Sequence, residues 1–356
     1  MVLEFLAGGM DRPRFFAFDP AGMLLVGSKG GTVYRVAPPY SRADPLVRTG
    51  GYPHSVAVRP GELLIAKTEG LYAAPYKPGQ ESLDPATLRL LAALPSGRGH
   101  SSRTVAVGPD GRIYLSLGIS GNCSDEYLDP SYPFDRRRGG VLVLREGDGG
   151  AEWEPFASGL RNPVGFDWHP ATGRLYATNN GPDHWGFEQP PENFRALPPG
   201  SFHGMPWFQW DGTALKRDTC IDTPPPRPAG DVAPPDATFP ARNAPLGMAF
   251  VGSGALRPEF EGDAVAALHG SWATRPSGGF FGDPATRRPP ALVLVRFEGG
   301  KPVRVDELVT GFQLPSGERW ARPAGVAVGP DGHLYFTSDE GVQGIFRLRA
   351  VAGGAP

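Results

Sequence analysis

Short stretches in which apolar and polar residues alternate recur along the whole chain, and each is followed by a tight turn. Alternation with a period of two is typical of a strand that is buried on one face. Most of the turns read Pro-Asp-Gly or a close variant, in which proline presets φ and glycine accepts a positive φ, so that the turn closes a hairpin. The copies cover residues 15–26, 55–65, 104–115, 164–176, 247–268 and 325–336.

A motif that returns six times predicts an architecture of equivalent β-sheets. A third apolar strand follows several of the hairpins, as in residues 32–36, 140–144 and 345–348. We therefore predict an all-β fold, a six-bladed β-propeller with four-stranded antiparallel blades around a central channel. The predicted domain is single and covers residues 1–356, and residues 2–6 are expected to pair with the last blade. An array of β-sandwiches, the alternative, does not predict this regular return.

Two segments, 119–138 and 179–246, do not match the repeat and are rich in Gly, Pro and Asp. Long loops outside a repeat are usually functional. We expect these two to be functional loops that lie on one face of the propeller, around the mouth of the channel.

Composition narrows the class of protein. The chain has 50 glycines and 41 prolines, but 40% of its residues are hydrophobic, which is enough to form a core and excludes a disordered chain. A net charge of −2 argues against a nucleic-acid partner, and the cluster Arg136-Arg137-Arg138 is interpreted as a solvated loop. No apolar stretch is long enough to predict a membrane span.

The N-terminal residues are too few and too acidic for a signal peptide. We expect a periplasmic or extracellular protein if a leader has been removed, and a cytoplasmic one if the sequence is complete. The two cysteines, Cys123 and Cys220, do not form a C-x-x-C motif, which argues against a zinc site or a redox dithiol. A disulfide between them and two free thiols both remain open.

Polar residues mark the entry to several blades. His54, His100, Arg161 and Arg322 each stand just before or at the first strand of a blade. Each residue alone is compatible with a surface histidine or a salt-bridged arginine. Their equivalent positions favour a shared site instead, because successive first strands surround the channel. Dinucleotide-binding, Walker and serine-elbow motifs are absent from the sequence.

Residues 159–165, Gly-Leu-Arg-Asn-Pro-Val-Gly, resemble the Gly-x-Arg-Asn-Pro-x-Gly motif of the soluble glucose/sorbosone dehydrogenases that use pyrroloquinoline quinone (PQQ). Gly99-His100 resembles the segment of that family that carries the catalytic histidine, and residues 180–182, Asn-Gly-Pro, resemble its calcium loop. Residues 269–272 and 322–323 are similar to features of the sorbosone-dehydrogenase-like branch. The resemblance covers nearly the whole chain in order.

The resemblance implies a role for each matched residue. His100 would be the general base that takes the proton of a sugar hydroxyl, and Arg161 would polarise the reacting quinone oxygen. Main-chain oxygens of Gly181 and Pro182 would bind calcium, and Arg322 is the best candidate for a carboxylate of the cofactor. The residues expected to bind the cofactor are His54, Arg161, Asn162, Asn180, His269 and Arg322.

Two departures from the family pattern concern the same site. The glucose-oxidising branch has an acidic residue that faces the catalytic histidine, and Ile119 stands at that place here, so Asn122 or Asp125 is the expected substitute. The segment 190–193 lacks an Asp-Glu pair, so a second structural calcium is not expected.

The function expected from the sequence is PQQ- and calcium-dependent oxidation of an aldose or related sugar aldehyde. The sugar, the electron acceptor and the oligomeric state are left open. Two other functions compete with it. One is a calcium-dependent lactonase-type hydrolase that uses Asn179, Asn180, Asp183 and Asp339, and the other is a non-catalytic binding platform.

Overall fold

Each predicted hairpin forms the first two strands of one antiparallel sheet in the computed structural model, which describes residues 1–350. The last six residues of the predicted domain, 351–356, lie outside the described residues. The strands, in chain order, are β1 (Val2–Ala7), β2 (Pro13–Phe18), β3 (Leu24–Ser28), β4 (Thr32–Val36), β5 (Ala43–Arg48), β6 (Pro53–Arg59), β7 (Glu62–Lys67), β8 (Gly70–Pro75), β9 (Arg89–Ala93), β10 (Arg103–Val107), β11 (Ile113–Leu117), β12 (Gly140–Gly147), β13 (Gly150–Ser158), β14 (Pro163–Trp168), β15 (Leu175–Asn179), β16 (Glu192–Ala196), β17 (Ser201–Phe202), β18 (Phe208–Trp210), β19 (Leu215–Arg217), β20 (Ala237–Phe239), β21 (Pro245–Phe250), β22 (Ala264–Leu268), β23 (Ala291–Glu298), β24 (Lys301–Val309), β25 (Ala321–Val328), β26 (Leu334–Gly341) and β27 (Gly344–Arg349).

Six sheets of this kind form the blades, so the predicted six-bladed propeller is confirmed. Blades 1 and 2 are β2-β3-β4-β5 and β6-β7-β8-β9, and blade 3 is β10-β11-β12-β13 with the short β17 added in parallel. Blades 4, 5 and 6 are β14-β15-β16-β20, β21-β22-β23-β24 and β25-β26-β27-β1. The pairing of β1 with β27, with Val2 opposite Arg349, closes the ring as expected.

Glycine sets the distance between neighbouring blades around the channel. A Cβ atom added to Gly165, Gly247 or Gly325 would lie 2.2–2.6 Å from a main-chain oxygen of the next blade. No other residue allows first strands to approach so closely. This packing explains the final glycine of the motif at 159–165.

A buried hydroxyl group links blades at the same level. Thr178 Oγ1 donates to the carbonyl of Leu246 at 2.6 Å and accepts from the amide of Gly165 at 3.1 Å. Thr337 makes the same two bonds between blades 6 and 1, at 2.6 and 2.8 Å. Each threonine therefore provides hydrogen-bond partners for backbone groups of two neighbouring first strands. These groups lie at β-bulges, where they do not pair with the adjacent strand of their own blade.

The apolar core lies between consecutive blades. Leu64 and Leu71 of blade 2, for example, belong to one buried cluster with Leu115 and Leu142 of blade 3. Helix is confined to 3₁₀ turns at Pro85–Thr87, Phe134–Arg136, Ala229–Asp231, Pro258–Phe260 and Pro284–Thr286 within the described residues. No helix among residues 1–350 has the length and apolar character needed to cross a membrane.

The two long segments differ from each other. Residues 119–138 contain no strand, whereas 179–246 include β16 and β20, the outer strands of blade 4, and a β18-β19 hairpin. The prediction of a long loop over 179–246 is wrong for these strands. The sequence of β16 hides the strand because its first four residues are all buried, so no alternation is visible. The structure joins the two segments through a disulfide between Cys123 and Cys220, with the Cα atoms 6.0 Å apart.

Candidate active site

The residues proposed from the sequence lie on one face of the propeller. First strands begin and second strands end on the same face, because the two are antiparallel. His100 and Arg161 precede the first strands of blades 3 and 4, and His269 follows the second strand of blade 5. The face therefore gathers residues that are far apart in the sequence.

The ring of His100 has one defined hydrogen bond. Its Nδ1 lies 2.5 Å from the main-chain oxygen of Ile119. A carbonyl can only accept, so Nδ1 carries the proton and Nε2 presents its lone pair. Burial, and then the charge of Arg161, lowers the pKa of His100 to about 3. The imidazole is thus neutral near pH 7, the form that a general base requires.

Two glycines bring His100 to this position. A Cβ at Gly118 would lie 2.4 Å from Oδ1 of Asn162 and 2.7 Å from Cβ of His100. A Cβ at Gly99, whose φ is +93°, would lie 1.9 Å from the carbonyl oxygen of Ser120. The loops before β10, after β11 and before β14 therefore meet only because these positions lack side chains.

Arg138 also holds these loops together, through hydrogen bonds from its guanidinium. Its side chain is buried and donates to the carbonyls of Gly118 and His100, each at 3.0 Å. The interpretation of residues 136–138 as a solvated loop is therefore wrong for Arg138. The expected substitute for the missing acidic residue is also wrong, because the carbonyl of Ile119 orients His100, and neither Asn122 nor Asp125 forms a hydrogen bond with the ring within residues 1–350.

Arg161 is a buried cation with partners on one nitrogen. Nη2 donates to Oδ1 of Asn122 at 2.7 Å and to Oδ2 of Asp183 at 3.3 Å, whereas the buried Nε has no partner within the described chain. Asp183 also forms an ion pair with Arg242, whose guanidinium lies 5.0 Å from the ring centre of Trp272. Burial lowers the pKa of Arg161, but a guanidinium remains charged near neutral pH.

Two asparagines at the end of β15, Asn179 and Asn180, form hydrogen bonds with main-chain atoms. Nδ2 of Asn180 donates to the carbonyl of Pro245 at 2.7 Å, and Oδ1 of Asn179 accepts from the amide of Asn162 at 3.0 Å. These bonds hold residues 180–182 in place.

The two predicted calcium ligands lie in this segment. The carbonyls of Gly181 and Pro182 accept no hydrogen bond from any residue that the structure describes. The amide of Gly181 donates to Glu192, and burial raises the pKa of Glu192 to about 7. Two free main-chain oxygens beside a carboxyl group are the donors that a hard cation takes.

A second group surrounds Asp339. Nε2 of His269 lies 2.8 Å from Oδ1 of Asp339, and the other carboxylate oxygen forms an ion pair with Arg14. Arg322 donates to the carbonyl of His269 at 2.8 Å and to Glu340 at 2.9 Å. Although burial raises the pKa of Asp339, His269 and Arg14 hold it below its usual range.

His54 lies beside this second group. Its ring is fully buried, with Nδ1 2.9 Å from the carbonyl of Arg103 and Nε2 without a partner in residues 1–350. Burial, followed by Arg14, lowers the pKa of His54 well below its usual value. Lys29 keeps access to solvent, and partial desolvation, followed by Arg14, lowers its pKa. Three cations, Arg14, Lys29 and Arg322, therefore lie near two carboxylates, those of Asp339 and Glu340.

The hydrogen bonds and ion pairs described above fall into two neighbouring groups on this face. One contains His100, Arg161 and Asn162, and the other contains His54, His269 and Arg322 through their shared neighbour Arg14. Arg103 links the two groups, because its main-chain oxygen lies 2.9 Å from Nδ1 of His54 and its Nη1 donates to the carbonyl of His100 at 2.9 Å. The first group includes His100 and Arg161, the residues to which the family resemblance assigns sugar oxidation. The second group contains Arg14 and Arg322 with Asp339 and Glu340.

Sequence reasoning missed Arg14, Lys29 and Arg242. Arg14 follows Pro13 at the start of blade 1, as His54 follows Pro53 at the start of blade 2, so the positional argument applied to every blade would have found it. Lys29 and Arg242 lie outside the strands and carry no repeat signal.

A family model described as Glucose / Sorbosone dehydrogenase matches residues 88–347, well over half of the chain. The chain belongs to the glucose/sorbosone dehydrogenase family. The matched region contains His100, Arg161, the segment 180–182, His269 and Arg322, whereas Arg14, Lys29 and His54 precede it.

Solved structures similar to this glucose/sorbosone dehydrogenase family member share its fold along nearly the whole chain. The calcium structure of a Trichoderma reesei protein of Carbohydrate-Active Enzymes Family AA12 is 19% identical, with a TM-score of 0.76, and covers 97% of this chain and 94% of that one. The holo form of the pyranose dehydrogenase PQQ domain from Coprinopsis cinerea is 19% identical, with a TM-score of 0.72 and coverages of 98% and 95%.

The PQQ-bound aldose sugar dehydrogenase of Streptomyces coelicolor is likewise 19% identical, with a TM-score of 0.67 and coverages of 97% and 97%. A protein of Borreliella burgdorferi, described as uncharacterized, is 23% identical and covers 97% of this chain and 87% of its own length. At these identities the solved structures establish the six-bladed fold.

Proposed function

We propose that this protein oxidises an aldose or a related sugar aldehyde, with PQQ as the bound oxidant and calcium as the metal that holds it. The observation that carries the proposal is the neutral His100 beside the buried cation Arg161. Family membership supports sugar oxidation, and two similar structures are described as containing PQQ.

The residues fit PQQ, which offers three carboxylates and a pyrrole N–H. Two buried donors, Nε of Arg14 and Nε of Arg161, and one buried acceptor, Nε2 of His54, lack partners in residues 1–350. Buried polar atoms rarely remain unpaired, so these atoms suit a polar, anionic ligand. Lys29 and Arg322 add positive charge, and Arg322 still has two of its five N–H groups unused.

The site also fits calcium. The free carbonyls of Gly181 and Pro182 are oxygen donors in a segment that Asn179 and Asn180 hold by hydrogen bonds. Calcium takes such main-chain oxygens, and a cofactor oxygen or water would complete its coordination.

The chemistry divides between the cofactor and the protein. When bound, PQQ would supply the two-electron acceptor for the hydride of the anomeric carbon. Nε2 of His100 accepts the hydroxyl proton of the same carbon, so the aldose loses one hydride and one proton and becomes a lactone. Arg161 stabilises the negative charge that develops at the reacting oxygen, in a buried setting where its charge acts strongly.

The lactonase alternative is less well supported. It requires side-chain ligands around one metal, but Oδ1 of Asn179 already accepts from a backbone amide and Asp183 and Asp339 are paired with arginines. A binding platform leaves the neutral, oriented His100 without a role.

The experiment is a titration of purified protein with PQQ in calcium buffer, followed by the quinone absorbance, and then dye reduction with a panel of aldoses. Saturable 1:1 binding and sugar-dependent dye reduction are expected. Failure to bind PQQ would overturn the proposal. A lactone panel assayed without PQQ tests the hydrolase alternative in parallel.

A further inference from the structure

The amide oxygen of Asn122 accepts two hydrogen bonds at the site. It accepts from Nη2 of Arg161 at 2.7 Å and from the main-chain amide of Asp183 at 3.1 Å. One oxygen therefore joins the proposed electrophilic arginine to the start of the loop that follows the calcium segment. Asn122 lies on the loop between β11 and β12 of blade 3, whereas both of its partners belong to the loops of blade 4.

The residue after Asn122 is covalently fixed. Cys123 forms the disulfide with Cys220, which lies in the long segment between β19 and β20. Cys220, at the other end of the disulfide, is also held in place. Its amide donates to Oδ1 of Asp218 at 3.0 Å, and the buried carboxylate of Asp218 lies 3.0 Å from Nε2 of His184.

The disulfide thus closes a ring of contacts. From Asn122 it runs through the disulfide to residues 218–220, from Asp218 to His184, and from His184 along the chain to Asp183 and back to Asn122. Within this ring Asn122 cannot move away from Arg161 without breaking a bond or shifting a second loop.

The electrostatics favour an acceptor at this point. Asp183 is shared between Arg161 and Arg242, so it neutralises only part of the charge of the two guanidiniums. At 2.7 Å the bond from Arg161 to Asn122 is shorter than its 3.3 Å bond to Asp183. The neutral amide of Asn122 is therefore the closer partner of the guanidinium, and it fixes the orientation of Nη2 while the Nε group stays unpaired.

We infer that Asn122 is a positioning residue for Arg161 and that the Cys123–Cys220 disulfide anchors it. The inference rests on the proposed function for its effect on turnover, but the placement of Arg161 is measurable without cofactor or sugar. Asn122 forms no hydrogen bond with His100 or with the carbonyls of Gly181 and Pro182 among the described residues, so its contribution acts through the arginine.

The first test uses the apo protein and arginine guanidinium signals in ¹H–¹⁵N NMR spectra. The Nη signals of Arg161, assigned by their loss in Arg161→Lys, are expected to be resolved in the wild type because two bonds restrict rotation. They should collapse or exchange rapidly in Asn122→Ala and persist in Asn122→Asp, which keeps an acceptor oxygen. Persistence in Asn122→Ala would overturn the inference.

The second test measures kcat and KM at saturating PQQ. Asn122→Ala is expected to lower kcat about 10- to 100-fold with KM changed less than about threefold, because a misplaced catalytic group costs rate more than binding. Asn122→Asp should stay within about threefold of the wild type. Ser131→Ala, an exposed hydroxyl on the same loop, is the matched control and should not change kcat. Equal loss in the Ala and Asp variants would overturn the inference.

The third test addresses the anchor. The Cys123→Ser/Cys220→Ser double variant is expected to broaden the Arg161 signals and lower kcat, in the same direction as Asn122→Ala but less strongly. Unchanged signals and unchanged kcat would overturn the role of the disulfide. Thermal unfolding of every variant identifies any that fails to fold. If wild-type protein binds no PQQ, the proposed function fails, while the NMR comparison still decides the placement of Arg161.

Discussion

The main-chain oxygen of Ile119 lies 2.5 Å from Nδ1 of His100, and the amide of the same residue donates to the carbonyl of Arg161 at 2.8 Å. One peptide segment thus sets the tautomer of the proposed base and ties it to the proposed electrophile. A carbonyl does not titrate, so this orientation is independent of pH, unlike that provided by a carboxylate.

The pH dependence of kcat/KM should reflect this arrangement. The pKa of His100 is lowered to about 3, so the base is unprotonated throughout the neutral range and loses activity only as the pH falls towards that value. We expect kcat/KM to be flat between about pH 5 and pH 8 at saturating calcium, because the bound cation favours the ionised form of the neighbouring Glu192. Initial rates in buffers of constant ionic strength test this. An acid limb with a midpoint near 6.5 would contradict the buried, neutral base.

Removal of the base should separate binding from turnover. His100→Gln keeps a side chain of similar reach but offers no basic nitrogen, so kcat should fall about 10²- to 10⁴-fold. Its affinity for PQQ, measured by absorbance titration, should remain within about threefold of the wild type. Retained turnover would exclude His100 as the base.

The charge of Lys29 should contribute to cofactor affinity. Lys29 keeps access to solvent, and its pKa is lowered by burial and by the charge of Arg14. An anionic ligand beside it would therefore stabilise its charged form. Lys29→Gln is expected to weaken PQQ binding about tenfold without changing kcat at saturating PQQ. The exposed Lys77→Gln is the matched control. Equal affinities in the two variants would remove Lys29 from the cofactor site.

Calcium should be required for PQQ binding but not for the fold. Its proposed ligands are main-chain oxygens in a segment that side chains already hold, so the segment persists without metal. With excess EGTA, PQQ should no longer raise the unfolding temperature, and the apo protein should unfold within about 2 °C of its original value. Undiminished stabilisation by PQQ in EGTA would contradict the proposed metal role.

The hydroxyl of Thr178 should stabilise the ring. Thr178→Val preserves the shape but leaves the carbonyl of Leu246 and the amide of Gly165 without this partner, which costs about 1–3 kcal/mol of unfolding free energy. Thr213→Val, at an exposed turn, should change stability by less than about 0.5 kcal/mol. Denaturant unfolding compares the two variants, and equal losses would show that the bridge between blades is unimportant.

The number of blades and the face that His100 and Arg161 share were predictable from the chain alone. Each hairpin is encoded by neighbouring residues, so alternation and a Pro-Asp-Gly turn report it locally. Repetition of one unit then places equivalent residues, such as His100 and Arg161, at the same end of their blades. Family motifs added the expected roles of these two residues.

The partners of those residues were decided by tertiary structure. The acceptor for His100 is a backbone carbonyl, which every residue possesses, so no side chain in the sequence could indicate Ile119. The link between Arg14 and Asp339 joins blades 1 and 6, and the disulfide joins two loops outside the repeat. Such contacts depend on where non-repeating loops meet after the ring has closed, and that convergence is a property of the whole fold rather than of any local pattern.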